Sequence, residues 1–562
     1  MEPFLISRPR PTANRAQWKQ EFCVRQTALY VGQDSRLKVP IGGSVIDEFF
    51  NSASPDLVPP RRHELLRKFF DQTGARSFPE ALNTTPADTR VLAMIDDRCD
   101  PCLQFTDMPE STSFLPTRQW ESEEYMRRPP KGIHRKICGA DAGTLYDCLN
   151  KNRKGVAERR ILYLVDLTPL MGLALISGVT YMHLPQIRSF LSRHVAFDTH
   201  MGISQIRGFT LEFHLPHYVL RPSQTKFQDR RGLRKHRFFR PPRSNDNDCI
   251  YEAQLSLVVS GVDDYFWTAC FCEDSYFRGK NPIPDYLEDK VDGPSFGLRM
   301  SKYPIWDPRY YFLFILSIRM SQVAMEWAVI VGTLEGHLDK HGEIDEDSID
   351  HFLEDEPSLL KTKEYTWILC TLRRLRNSLA RLIATWTAFD INNSVYFDLD
   401  TDGALYDKFR ECFQQIRQST AELATQQMVL EQRIEMLEKM SGVLVNASSL
   451  AESITATRQG DNIRLLTYIT IVYLPVTLVT GAFSMNQVSS DIAWWKYWVS
   501  LFCLTACTIS IALGLQLLTP RLRVAGVRLK NKYRMYRKKK PRTMIGDNAV
   551  MVVDILFFLA IQ

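Results

Sequence analysis

The chain has 562 residues, 45% of them hydrophobic and 24% charged, with a formal net charge of +6. That composition is globular, so most of the mass is water-soluble, and disordered, collagenous and disulfide-stapled classes are excluded. The charge is mild and unevenly spread: eleven Lys/Arg and no acid lie between Arg521 and Arg542, a block that suits a nucleic-acid patch or a membrane-surface anchor, the second favoured by its position just after an apolar segment.

Residues 1–154 are rich in Pro, Arg and turn residues and read as a poorly ordered lead-in. The N-terminus lacks the apolar core of a signal peptide, which points to a chain whose bulk stays cytosolic. Its cysteines are scattered; Cys99 and Cys102 form a lone CxxC without a second pair at zinc spacing. Residues 155–403 read as a cytosolic α/β and helical domain. "RILYLVDLTP" (Arg160–Pro169) is strand-like, and in "GFTLEFHLPHYVLR" (Gly208–Arg221) Leu211, Phe213 and Leu215 share one strand face. A basic, proline-containing insertion between Pro222 and Asp248 reads as an exposed loop. His214 and His217 read as packing or hydrogen-bonding residues.

"YYFLFILSIRMSQVAMEWAVIVGTL" (Tyr310–Leu334) is apolar enough to suggest a membrane span, but Arg319, Gln322 and Glu326 lie inside it. Charges in mid-bilayer are costly, so a buried helix of the soluble domain is expected. "DLDTDG" (Asp398–Gly403) matches half of a calcium loop, yet the twelfth position, where a bidentate Glu is needed, is Phe409. It reads as a polar helix start.

Residues 404–464 form a stalk helix. Phe409, Ile416, Leu423, Leu430, Leu437 and Leu444 recur at every seventh position, with a mixed second heptad position. So long a helix cannot be buried in one globule, and its expected partners are copies of itself. Residues 465–518 then form a two-span transmembrane hairpin. Leu465–Met485 carries no charge across 21 residues, enough to cross a core of about 30 Å. Trp494, Trp495, Tyr497 and Trp498 open the second span, Trp494–Leu518, as an aromatic belt. The link Asn486–Ala493 has eight residues, so both flanks lie on one side. The basic tail, residues 519–562, with Arg458 and Arg464, places the N- and C-termini in the cytosol. The final "AVMVVDILFFLAIQ" is too short to span.

Along the first span Thr470, Leu474, Thr477, Gly481 and Ser484 recur at intervals of four, three, four and three, one face of a helix. That face serves either close helix packing in lipid or the lining of a pore. The sequence has no P-loop, nucleophile elbow, HExxH or organised carboxylate pair, so no enzyme is expected.

Stalk, "TYITIVYLPVTLVTGAFSMN", short loop, second span and basic tail together resemble the CorA-type magnesium channels, with the divergent fungal CorA-like proteins nearest. The resemblance is specific around Asp461–Asn486, covers about Ala404 to Arg542 in layout, and is only one of arrangement over 155–400. It implies a homopentameric funnel with an α/β cytosolic domain, in which five copies line a path for Mg²⁺. The ion is then cargo, and no cofactor is called for. By position, Asn486 takes the role of the asparagine in the family's Gly-Met-Asn signature and is the metal-facing residue. Met485, Ser484, Gly481, Thr477, Leu474 and Thr470 line the pore, and Ile463 and Leu466 lie near the gate. Partners are then further copies of the chain, membrane lipid and a divalent cation, with no nucleic acid. The absence of a clear transit peptide favours the plasma membrane over the mitochondrial inner membrane. The chain departs from the family in two places: Ser484 replaces the signature glycine, and the loop's acid is Asp491, at a different spacing. Those departures keep open a relative moving Zn²⁺, Co²⁺ or Ni²⁺, or a membrane-tethered coiled-coil scaffold with a vestigial pore.

Overall fold

The computed structural model describes residues 17–24, 43–51, 59–84, 90–98, 135–150, 159–179, 183–206, 208–222, 227–238, 248–342, 360–484, 495–511 and Gly514. The chain divides into two units, Met1–Val445 and Asn446–Gln562.

The first unit is built on one eight-stranded sheet, ordered β2-β1-β3-β8-β7-β5-β4, with β6 paired to β7. Its strands are β1 (Ala93–Arg98), β2 (Arg135–Ala140), β3 (Arg159–Val165), β4 (His200–Ser204), β5 (Phe209–Pro222), β6 (His236–Phe238), β7 (Asp248–Gly261) and β8 (Trp267–Glu273). Only β3 and β8 run parallel. β3 is buried along its whole length, as expected where helices cover both faces of a sheet. One face, through Leu162, Leu164, Val258 and Cys270, packs on the short helices α1 (Val45–Asn51), α2 (Pro60–Asp71), α3 (Phe78–Thr84), α4 (Ala142–Asn150), α5 (Pro169–Ser177) and α6 (Leu184–Val195). The opposite face, through Tyr163, Phe213, Leu257 and Phe271, packs on long helices. A single turn, α7 (Ile283–Glu288), precedes these: α8 (Pro308–Gly342), α9 (Leu360–Asn393) and α10 (Ala404–Ser484).

Three expectations change here. Residues 1–154 are not simply a loose lead-in: β1 and β2 extend the sheet from within them, and Trp18 and Phe22 are buried in the core. Their strand ends are charged, which hides them, yet both acids of β1 are paired: Asp96 with Arg98 at 2.9 Å, and Asp97 with Arg160 through two hydrogen bonds of 2.7 and 2.8 Å. Secondly, the basic insertion after Pro222 is not an exposed loop throughout. Asp229, Arg231 and Arg234 are buried, with Arg231 and Arg234 both paired to Asp274. Thirdly, the heptad stripe does not wait for another copy. Phe409, Ile416, Leu423, Leu430 and Leu437 are buried with Leu372, Leu375, Leu379, Leu382 and Trp386 of α9 and with Ile330 and Leu334 of α8. Arg373–Glu438, Arg417–Asp390 and Arg433–Glu335 ion pairs flank that seam. The Asp398–Gly403 stretch directly precedes α10, and Arg410 of that helix reaches back to it. The Arg410 guanidinium donates to the carbonyls of Leu399 and Thr401, each at 2.7 Å. Cys99 and Cys102 lie outside the described residues.

α8 is the soluble helix that its internal charges foretell. Its apolar stretch is 67% buried, Arg319 pairs with Glu273 at 3.0 Å, and Glu326 takes Arg221 at 2.6 Å.

His214 and His217 are wholly buried and hydrogen-bonded, as expected from their strand context. Ser256 Oγ lies 2.9 Å from His194 Nδ1 and 2.8 Å from His214 Nδ1, while His214 Nε2 faces Glu212 at 2.7 Å. Burial lowers His194, His214 and His217 below the ordinary 6.5 and takes His200 to about 4. A histidine kept neutral in the fold contributes stability above the unfolded-state value and loses it as pH falls below that value. Thermal unfolding of this unit is therefore expected at progressively lower temperature as pH drops from 6.5 toward 5. At pH 5 each histidine still neutral in the fold costs about 2 kcal/mol. A melting temperature that stayed flat over that interval would refute the assignment.

Candidate pore-lining helix

The end of α10 lies in the second unit. From Glu452 to Thr470 its side chains are exposed, save a partly covered Gly460. From Leu465 onward it is free of charge. The helix Glu452–Ser484 is long and apolar enough to cross a membrane, and a shorter apolar helix, α11 (Trp495–Ile511), follows it.

At 100° per residue, the helical positions of Ile463, Leu466, Thr470, Leu474, Thr477, Gly481 and Ser484 all fall within about 40° of one line. All seven are exposed, and Ile463 and Leu466 are 64% and 65% accessible. The face that meets α11 is a different one. Ile471, Pro475, Val479 and Phe483 recur every fourth residue, are buried or partly so, and point about 160° away from the exposed line. Val479 is 4% exposed. Phe483 meets the Tyr497 ring edge-on at 5.4 Å, and Thr480 Oγ1 lies 3.2 Å from the Tyr497 hydroxyl. α11 answers with Tyr497, Ser500, Leu501, Thr505 and Thr508, its partly buried positions. The small and hydroxyl-bearing stripe is therefore not what packs the two helices of one chain together.

A hydroxyl in an apolar medium needs a partner, and all the Ser and Thr hydroxyls here but Thr480, which meets Tyr497, find one on their own helix. Thr467 donates to Ile463 O at 2.7 Å, Thr470 to Leu466 O at 2.8 Å, and Ser484 to Gly481 O at 3.0 Å. Thr477 donates at 3.0 Å to Tyr473 O or Leu474 O. With the proton committed inward, each oxygen offers only lone pairs to whatever faces the stripe. The stripe is thus a line of neutral acceptors flanked by open space; a Cβ added to Gly481 would meet nothing.

Among the described residues no three His, Cys, Asp or Glu side chains gather as they would around a metal ion. Asn486 and Met485 lie outside the described residues, which stop at Ser484 and resume at Trp495. Sequence reasoning found the stripe and missed the packing face. An interval-four run of Ile, Pro, Val and Phe carries the signal, but in a wholly apolar span it has no polar contrast to stand against.

Residues 401–514 match the family model of the "CorA-like Mg2+ transporter protein". No curated protein matches the chain in sequence. Among solved structures, the CorA magnesium transporter from Methanocaldococcus jannaschii aligns at 10% identity and a TM-score of 0.30, over 75% of this chain and 97% of that one. The full-length CmaX protein aligns at 12% identity and a TM-score of 0.30, over 68% and 94%. Similarities that low carry no argument, and the assignment rests on the family match with its two apolar helices. The C-terminal region of this chain, residues 401–514, carries a domain of the CorA-like Mg²⁺ transporter family, whose apolar helices point to a membrane setting.

Proposed function

We propose that the protein is a channel for divalent cations, Mg²⁺ first among them, whose pore is lined by α10 from several copies of the chain. Five copies is the number that the family resemblance implies. The observation that carries this reading is the separation of faces on α10: apolar residues meet α11, while the acceptor stripe from Thr470 to Ser484 stays exposed. Mg²⁺ sheds water reluctantly and travels best with its shell. The waters of that shell donate hydrogen bonds outward, and oxygens that have already given their own proton to the helix can only accept. Neutral acceptors hold the hydrated ion without trapping it, as a ring of carboxylates would. Ile463 and Leu466, in line with the stripe and nearer the N-terminus, supply an apolar constriction that gates by dewetting. Asn486 completes the outer mouth with amide oxygens. Thr and Ser oxygens do not by themselves reject Zn²⁺, Co²⁺ or Ni²⁺, so selectivity belongs to the ring at the mouth.

Expression in cells lacking their own magnesium uptake tests the reading. Wild type is expected to restore growth at low magnesium, and Asn486→Ala, present in the membrane at equal level, is expected to fail. Rescue by both would remove Asn486 from the pore. Rescue by neither would favour the scaffold with a vestigial pore, to which Ser484, bulkier than the signature glycine, gives some support. Cross-linking that stopped at dimers would remove the ring.

A further inference from the structure

At one end of the sheet three arginines stand in a single cross-strand row. Arg98 closes β1 and pairs in register with Arg135, which opens β2, and with Arg159, which opens β3. Like charges directly opposite one another destabilise a ladder, so the row calls for negative charge. Asp96, on the same face two residues before Arg98, supplies part of it. Both its oxygens lie 2.9 Å from Arg98 Nε, and Arg159 Nη2 stands 3.8 Å away. Arg159 Nη1 donates to Ile305 O at 2.8 Å, and the guanidinium lies 5.3 Å from the Tyr311 ring centre and 5.6 Å from that of Trp267.

Three polar atoms in this small region remain unmatched. Arg98 Nη2, Arg159 Nε and the Tyr311 hydroxyl are buried without a hydrogen-bond partner, in residues only 1%, 2% and 2% exposed. Buried donors left unpaired are costly, charged ones most of all. The local charge balance points the same way. Burial, with Arg98 adding to it, lowers Arg159 to about 10. Burial raises the carboxyl of Asp292, against the pull of Arg159.

We propose that Arg98, Arg159 and Tyr311 form a binding site for a phosphate group at the strand ends of the cytosolic sheet. Two guanidinium N–H donors and a hydroxyl suit an anion with several oxygens better than a single-atom halide. The Trp267 and Tyr311 rings already face Arg159, which leaves neither free to stack a base and favours inorganic phosphate over a nucleotide. The site lies in the sheet unit and does not rest on the transport reading.

The test uses the full chain in detergent, prepared without phosphate, with thermal unfolding followed against inorganic phosphate, chloride at matched ionic strength, and a nucleoside triphosphate. Phosphate is expected to raise the midpoint saturably and chloride is not. Tyr311→Phe removes an unpaired hydroxyl, so its midpoint without ligand is expected to equal or exceed wild type, while its apparent phosphate affinity falls about tenfold. Arg98→Lys is expected to lose affinity likewise; if it does not fold, Tyr311→Phe decides alone. A response to the nucleotide but not to free phosphate keeps the site and changes the source of its phosphate group. Equal responses to phosphate and chloride with none to the nucleotide, or a Tyr311→Phe titration indistinguishable from wild type, overturn the proposal.

Discussion

Arg319→Met is expected to destabilise the sheet unit by about 3–5 kcal/mol, the range for breaking one partner of a buried ion pair. Arg319 is wholly buried in α8 and ties that helix to β8 and to the loop at Gly293 and Pro294. Nε donates to Pro294 O at 2.7 Å, Nη1 to Gln322 Oε1 at 2.7 Å, and Nη2 to Glu273 Oε2 at 3.0 Å and Gly293 O at 2.9 Å. Its guanidinium also sits 4.7 Å from the ring centre of Phe271. Methionine fills similar volume, so the loss is electrostatic rather than a cavity. It leaves the Glu273 carboxylate under-compensated, with Arg278 at 3.0 Å and the Tyr163 hydroxyl at 2.9 Å as its remaining partners; burial works to raise its pKa, and Arg319 first and then Arg278 hold it down. Adding Glu273→Gln to Arg319→Met is expected to recover part of the loss, because the uncompensated charge disappears. Chemical unfolding of the single and double variants measures both terms. A loss below about 1 kcal/mol in the single variant would place Arg319 among exposed pairs, against its burial.

The same residue shows how the sequence could be read at all. An apolar run of membrane length is ambiguous, but Arg319, Gln322 and Glu326 inside it make lipid expensive and a polar partner in protein necessary, which is what α8 has. The charge-free run in α10 carries the opposite message. Strands β1 and β2 were illegible for a related reason. "AMIDDR" closes and "RKICGA" opens on charges that look solvent-bound, and in β1 they stop looking so only when Arg160 is found across the ladder holding Asp97. The heptad stripe of α10 announced burial but not its partner. A row of Leu and Ile fits α9 of its own chain as well as a second copy, and only the matching stripe from Leu372 to Trp386 decides between them. In the hairpin, the acceptor stripe was legible because hydroxyls and glycine stand out in an apolar span. Its phase relative to α11 depends on which residues the two helices press together, and in a run with no polar contrast the sequence does not mark them.

Gly481→Leu separates folding from transport more sharply than any polar variant. Within one chain the substitution is benign: an added Cβ at Gly481 meets no atom, the position faces away from α11, and leucine improves helix propensity by about 0.8–1 kcal/mol. The hairpin is therefore expected to hold or gain stability. Copies brought together around a path are different, because every copy then contributes one isobutyl group at the same level. The opening narrows several-fold in the plane where a hydrated ion must pass, and an apolar ring replaces a place where water could stand. Magnesium uptake is expected to fall at least 100-fold, equivalent to about 2.7 kcal/mol on the barrier, with unchanged membrane abundance and an unfolding midpoint no lower than wild type. Leu478→Ala, off the stripe and exposed on the same helix, is expected to leave uptake within about twofold, which is under 0.5 kcal/mol. If Gly481→Leu transports normally, the stripe does not face the ion. If it loses stability and transport together, Gly481 is a packing residue. Loss of transport alone is the outcome that a pore-facing glycine requires.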